Sequence, residues 1–127
     1  EMVGELKDQK MRIALAPETT GRATQFGSLE ETLEMACELK ELLPVFDFCH
    51  LHARDNGRFK RKEYVAKVFE IIEGYDKRFL RDFRMQVSGV KYSEKGERAH
   101  LPLNESDFPY KWLLECLNEF KVYVTII

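Results

Sequence analysis

The hydrophobic and polar positions of this chain follow two different spacings, and the change from one to the other marks the predicted elements. Alternating or mostly apolar runs predict strands at 11–17, 44–48, 82–89 and 121–127. Apolar residues three and four positions apart predict helices at about 29–42, 61–74 and 108–120. Strands and helices therefore alternate from the first strand to the last, and this order favours a parallel sheet with right-handed helical crossovers.

Local signals place the ends of these helices. Ser28 and Glu31 form a capping-box pattern at the start of the first helix. Gly74 is predicted to end the second helix, and Pro109 is tolerated in the first turn of the third. Three segments show neither spacing and are predicted to be loops, 19–27, 49–60 and 90–107.

Composition limits the class of protein. At 127 residues the chain is one domain or part of one, and it contains no run of eighteen apolar residues that could span a membrane. It has no basic start followed by an apolar stretch, so no secretory signal is expected. Its three cysteines are an odd number at unrelated spacings, which argues against a disulfide framework and for a cytoplasmic location. A net charge of −2 gives no overall attraction to nucleic acid, although residues 53–62 form a basic loop.

The two ends of the chain suggest a larger sheet. Residues 1–10 read as the tail of a helix whose preceding strand is absent, and 122–127 finish on bare β-branched residues. Open apolar edges of a parallel sheet promote aggregation. We therefore expect residues 1–127 to be the carboxyl-terminal half of a (β/α)8 TIM barrel, a partial barrel of about four parallel strands with helical crossovers. The alternative is a small four-stranded sheet closed by dimerisation.

Polar side chains of similar chemistry follow the ends of the predicted strands, where barrel enzymes carry their active sites. They are Glu18, Asp47, His50, Gln86 and Ser88, with Glu97 and His100 in the long loop beyond. Carboxylates and imidazoles together suit Zn²⁺, Mn²⁺ or a similar cation. The sequence therefore predicts a cation site at this edge of the sheet.

Each of these residues also has a plainer interpretation. Asp47 and His50 can share a site only if the chain leaves strand geometry after Asp47, because alternation along a strand would point them to opposite faces. Otherwise Asp47 is a buried cap of a neighbouring loop, and His50 and His52 are core histidines bonded to the backbone. Glu18 could cap the helix at Ser28. Glu97 and His100 could be solvated loop residues.

Four stretches in order resemble the carboxyl half of the endonuclease IV family, with its archaeal-type branch closest in wording. They are PETTGRATQFGSLEE, DFCHLHARDNG, VSGVKYSEKGERAHLPL and ESDFPYKWLLECL. The resemblance covers the chain from about residue 11 and the later half of the family's barrel. These proteins are zinc-dependent apurinic/apyrimidinic endonucleases in the xylose-isomerase-like group of TIM barrels.

The resemblance implies a role for several residues. Glu18 matches a glutamate that bridges two zinc ions, and Asp47 and His50 match an Asp-x-x-His ligand pair. Gln86 stands where the family has a histidine ligand. Where the family has an Asp-x-His pair, this chain has Glu97 and Ala99 in register, with His100 one place later, so Glu97 and His100 are the implied ligands.

The implied function is metal-dependent hydrolysis of a DNA phosphodiester 5′ to an abasic site, with Zn²⁺ as the cofactor, or Mn²⁺ or Mg²⁺ in its place. Arg54, Arg58 and Lys60 would contact DNA phosphates. The partners are abasic DNA and either the missing amino-terminal half-barrel or a second copy of this chain. Two alternatives stay open: a divalent-metal sugar isomerase or epimerase, in which Glu97 moves a proton, and an inactive half-barrel.

Overall fold

The computed structural model describes residues 4–5 and 14–127, and it has a mixed α/β fold. The helices are α1 (Leu29–Glu38), α2 (Phe48–Arg54), α3 (Lys62–Tyr75), α4 (Arg78–Arg81) and α5 (Tyr110–Glu119), with a short 3₁₀ turn at Leu103–Glu105. The strands are β1 (Val45–Asp47), β2 (Phe83–Gln86), β3 (Gly89–Ser93), β4 (Gly96–Leu101) and β5 (Val124–Ile126). No helix within the described residues is long and apolar enough to cross a membrane.

Three strands form a parallel sheet in the order β1-β2-β5. Residues 14–18 run beside the free edge of β1: Val45 donates to the carbonyl of Pro17, Thr19 donates to the carbonyl of Val45, and Glu18 forms one isolated parallel bridge. The predicted parallel order is confirmed for these segments. Residues 11–13 of the first predicted strand lie outside the described part of the chain.

The helices pack on the sheet through the apolar positions that predicted them. α1 begins at a capping box in which Ser28 accepts from the Glu31 amide and Glu31 accepts from the Ser28 amide, as predicted. Phenylalanines dominate the core: the ring centroids of Phe46 and Phe83 lie 5.0 Å apart, and those of Phe48 and Phe69 lie 5.5 Å apart. Burying a side chain of this size contributes roughly 1.5–3 kcal/mol to stability.

Several predicted boundaries were wrong, including the end of α1, which was expected near Leu42 and lies at Glu38. Residues 48–54 form a helix rather than a loop, because the Asp47 side chain accepts hydrogen bonds from the amides of Cys49 and His50 and so starts a helix directly after β1. Gly74 does not end α3, which continues to Tyr75; the chain turns extended at Asp76, whose carboxylate accepts from the Arg78 amide.

The segment predicted as a long loop, 90–107, contains most of an antiparallel hairpin made of β3 and β4. The register of this hairpin explains why Glu97 and His100 lie close together. Tyr92 pairs with Glu97 and Val90 with His100, so Arg98 is an extra residue that forms a β-bulge. The bulge places Glu97 and His100, three positions apart, on one face of the hairpin.

Candidate metal centre

Asp47 is the last residue of β1 and the N-cap of α2. Its Oδ1 atom accepts from the amides of Cys49 at 2.9 Å and His50 at 3.0 Å, and its own amide donates to Thr19 Oγ1 at 2.8 Å. The residue is only 2% exposed. The helix that it starts brings His50 back over the end of the strand, and this geometry satisfies the condition that the Asp-x-x-His pattern required.

Hydrogen bonding determines which nitrogen of His50 can bind a ligand. Nδ1 lies 2.8 Å from the carbonyl oxygen of Thr19, which can only accept, so we assign the proton to Nδ1. Nε2, which is not used by this bond, then faces Glu97 at 3.4 Å from Oε2 and is the nitrogen available to a cation. Metal-binding histidines commonly donate their other N–H to a backbone carbonyl in this way.

His100 is held by a matching arrangement. Ser88 Oγ donates to the carbonyl of Gly89 at 3.0 Å, and it therefore accepts from Nδ1 of His100, also at 3.0 Å. Nε2 of His100 is left available to a cation, 3.2 Å from Glu97 Oε1. The Ser88 backbone amide donates to the Cys49 thiol at 2.9 Å, and this bond helps to fix the position of the serine. Burial raises the pKa of Cys49 to about 11, which keeps it a neutral thiol.

Glu18 and Asp47 form a pair of carboxylates behind His50. Gln86 lies opposite Asp47 in the register, and its side-chain amide faces two carboxylate oxygens that can only accept. We therefore assign its nitrogen to that side, 3.0 Å from Glu18 Oε1 and 3.3 Å from Asp47 Oδ2. Burial raises the pKa of both carboxyls, and the neighbouring Asp47 charge raises that of Glu18 further. The Glu18 side chain therefore lies beside Asp47 and does not cap α1, where Glu31 completes the capping box.

The donor set fits a divalent cation. In the described part of the chain, two sets of three ligand-type side chains come together and share His50: His50 with Glu97 and His100, and Glu18 with Asp47 and His50. Over the same residues, no lysine or arginine forms an ion pair with Glu18, Asp47 or Glu97. Three carboxylates balanced only by imidazoles leave an excess of negative charge that a cation would offset.

His52 follows the plainer interpretation. Its Nδ1 accepts from the Phe59 amide at 3.1 Å, so Nε2 carries the proton and donates to Asp107 Oδ1 at 3.1 Å. The ring stacks on Phe59 with centroids 5.6 Å apart and meets Tyr92 edge-on. Burial lowers the pKa of His52, so it is a neutral core residue that ties α2 to the hairpin.

The basic residues predicted to contact DNA lie in different surroundings. The Arg54 guanidinium donates to the backbone carbonyls of Arg22 and Gln25, both at 2.8 Å, and to the Thr20 hydroxyl. Its donors are therefore occupied in holding the loop that follows Glu18. Arg58 pairs with Asp55 at 3.4 Å, and Lys60 is exposed.

A basic cleft that the sequence analysis missed lies beside the cluster. It runs between the loop at 22–24 and the tip of the β3–β4 hairpin, and its charged lining is Arg22, Lys95 and Arg98 with Glu94 and Glu97. Arg22 is distant in sequence from Lys95 and Arg98, so no charge run indicated that the three share a cleft. Arg98 is the bulge residue, and only a strand register could have indicated where it points.

The cap of α2 allows a test of why Asp47 is buried. We expect Asp47→Ala to lower the free energy of unfolding in EDTA by about 2 kcal/mol, because the amides of Cys49 and His50 lose their acceptor. Asp47→Asn keeps that oxygen and removes a buried charge, so it should stay within about 1 kcal/mol of the wild type. Urea unfolding measures both variants, and equal losses for the two would contradict this account.

Comparisons with known proteins yield one relative. No protein-family model matches the chain, and no solved structure matches it. The chain is 39% identical over 127 residues to the uncharacterized protein MJ0133 of Methanocaldococcus jannaschii. The match covers 99% of this chain and 46% of the relative, so the chain spans about half the length of the curated relative that it matches.

Proposed function

We propose that this chain carries the metal centre of a divalent-cation-dependent phosphodiester hydrolase of the endonuclease IV type, which cleaves DNA 5′ to abasic sites. One observation carries the proposal: the Nε2 atoms of His50 and His100 face the two carboxylate oxygens of Glu97. Two imidazoles and a carboxylate suit Zn²⁺, with Mn²⁺ as an alternative and Mg²⁺, which prefers oxygen ligands, less well matched.

The residues around the centre have distinct roles in this proposal. A bound divalent cation supplies a water of lowered pKa and offsets the charge of the phosphate under attack. Thr19 and Ser88 hold His50 and His100 in the tautomers that present Nε2. The Glu18 side chain is 35% exposed and lies 3.3 Å from Nδ1 of His50, so with Asp47 it supports the ring on the side away from the proposed cation.

The basic cleft supports an anionic substrate. Arg22, Lys95 and Arg98 line it beside Glu97, where phosphates on either side of the cleaved bond would lie. Arg54 orders the loop that carries Arg22, and Arg58 and Lys60 are further candidates for phosphate contacts by the resemblance. An abasic nucleotide is already unpaired, so turning it towards the centre costs less than flipping a normal base.

The proposal also includes a fold larger than the described sheet. The segments form the carboxyl half of a (β/α)8 barrel, which would be completed by a separate half-barrel or by a second copy of the chain. Exposed apolar side chains on β5 support this, since Val124 is 36% and Ile126 51% exposed on an otherwise open edge. The greater length of the archaeal relative is compatible with it. Three free thiols suit a cytoplasmic protein.

A sugar isomerase or epimerase with one divalent cation is the second candidate. Gln86 favours it, because a neutral amide replaces a histidine ligand that the nuclease family uses. The basic cleft favours the nuclease, because a neutral sugar has no need of three cations beside the centre.

Incision of an oligonucleotide with one abasic site tests the proposal. We expect Zn²⁺-dependent cleavage on the 5′ side of the site, lost on chelation and reduced at least about 100-fold by Glu97→Ala, because this residue contributes the carboxylate between the two imidazoles. Glu73→Ala is the control: it removes an exposed carboxylate from α3, outside the cleft and the cluster, and should leave cleavage unchanged. Cleavage that survives Glu97→Ala or chelation would contradict the proposal. Interconversion of aldoses and ketoses without incision would favour the isomerase.

A further inference from the structure

The two sets of ligand-type side chains share His50, and His50 can serve only one of them. Its Nδ1 proton is committed to the carbonyl of Thr19 at 2.8 Å, and Glu18 Oε1 and Asp47 Oδ2 lie on that same protonated side, at 3.3 and 3.4 Å from Nδ1. The set made of Glu18, Asp47 and His50 therefore lacks an available imidazole nitrogen on the side where its carboxylates meet.

The space between those two carboxylates already has an occupant. Glu18 Oε1 and Asp47 Oδ2 can only accept, so we assign the Gln86 amide with its nitrogen towards them, at 3.0 and 3.3 Å; each of its two protons then has a carboxylate acceptor. The position is set by the backbone, because β2 pairs Gln86 directly with Asp47. An amide in this place satisfies the inner oxygens of both carboxylates.

We infer that the centre binds a single divalent cation, at the Nε2 atoms of His50 and His100 with Glu97, and that the Gln86 amide takes the place of a second cation between Glu18 and Asp47. This inference rests on the proposed metal centre and deepens it. Gln86 is then a positioning residue: it holds Glu18 and Asp47 together behind His50 without contributing a ligand. The endonuclease IV family, by resemblance, has more than one zinc ion, so this chain departs from it here.

The number of bound cations tests the inference directly. Native mass spectrometry and titration calorimetry with Zn²⁺ should give one ion per chain for the wild type. Gln86→His replaces the amide by an imidazole between the same two carboxylates, and we expect two ions per chain. Loading with Mn²⁺ adds a readout independent of activity, because two neighbouring Mn²⁺ ions in Gln86→His should give a spin-coupled electron paramagnetic resonance spectrum and the wild type should not.

Arg84→His is the matched control, since it adds an imidazole two residues earlier on the same face of β2 and should still bind one ion. A wild type that binds two ions, or a Gln86→His variant that still binds one, would overturn the inference. Two ions with incision of abasic DNA would leave the proposed function intact. One ion without incision would support the inference and count against the nuclease, and no bound ion would overturn both.

Discussion

Replacing His50 by alanine should weaken binding of Zn²⁺ to the chain by more than about 100-fold, the largest functional effect that we expect from one substitution. The variant removes one of the two imidazole ligands at Glu97, and the site then keeps one imidazole and one carboxylate. The variant also loses the hydrogen bond from His50 Nδ1 to the Thr19 carbonyl, so the free energy of unfolding should fall by about 1 kcal/mol. Calorimetry gives the dissociation constant, and thermal unfolding in EDTA gives the stability.

Ser88→Ala is the graded comparison for His50→Ala. It keeps both imidazoles but removes the oxygen that accepts from His100 Nδ1, so affinity should fall by about 10-fold or somewhat more. Unchanged affinity in His50→Ala would show that the cation binds elsewhere. An equal loss in both variants would show that holding His100 in one tautomer contributes as much to binding as the His50 ligand.

Replacing His52 by alanine should lower the free energy of unfolding by about 3–4 kcal/mol, the largest expected loss of stability. The ring fills the space among Phe59, Tyr92 and Phe108, and its two nitrogens bond the Phe59 amide and Asp107. Truncation therefore leaves a cavity and an unpaired amide in a buried place. Urea unfolding in EDTA measures the change.

His100→Ala is the control. The His100 side chain lies on the hairpin and is 59% exposed, so its removal should lower the free energy of unfolding by less than about 1 kcal/mol in the absence of metal. If His52→Ala were as mild as His100→Ala, the contacts around His52 would not be holding α2 and the hairpin together.

His52 also makes stability depend on pH. Burial lowers the pKa of His52 below the ordinary 6.5, against the opposing influence of Asp107, so the unfolded chain binds the proton more readily than the native one. Stability should therefore fall as pH drops below about 6.5 and level off beneath the lowered native pKa. His52→Phe, which cannot titrate, should lack this part of the pH profile.

Glu18 and Asp47 contribute with the opposite sign. Their pKa values are raised from 4.5 and 3.8, so the native chain binds protons more readily than the unfolded one, and their contribution to stability increases as pH falls through that lower window. The difference between wild type and His52→Phe cancels these two carboxyls and isolates the histidine. A difference that does not change between pH 7 and 5 would contradict the assignment.

Local patterns were enough to predict most elements of the described fold. The capping box at Ser28 and Glu31, the apolar spacing of α3 and the apolar run before Asp47 each involve residues that are near neighbours in sequence. The hairpin was not predicted, since β3 and β4 depend on pairing across a turn and carry a bulge that breaks the alternation of β4. The helix α2 was missed because its start depends on one carboxylate cap.

The sequence by itself determined that Glu18, Asp47 and Gln86 stand where parallel strands end, since a strand's end and its order along the chain are local properties. Only the tertiary structure decided what these residues do. The free nitrogen of His50 depends on a carbonyl 31 residues away, and that of His100 depends on the Ser88 hydroxyl. The bulge at Arg98 places Glu97 and His100 on one face of the hairpin, and the Gln86 amide contacts Glu18 from two strands away. The position of a proton on a histidine and the orientation of a side chain depend on the polar atoms within about 3 Å. In this protein those atoms belong to segments that are distant in sequence.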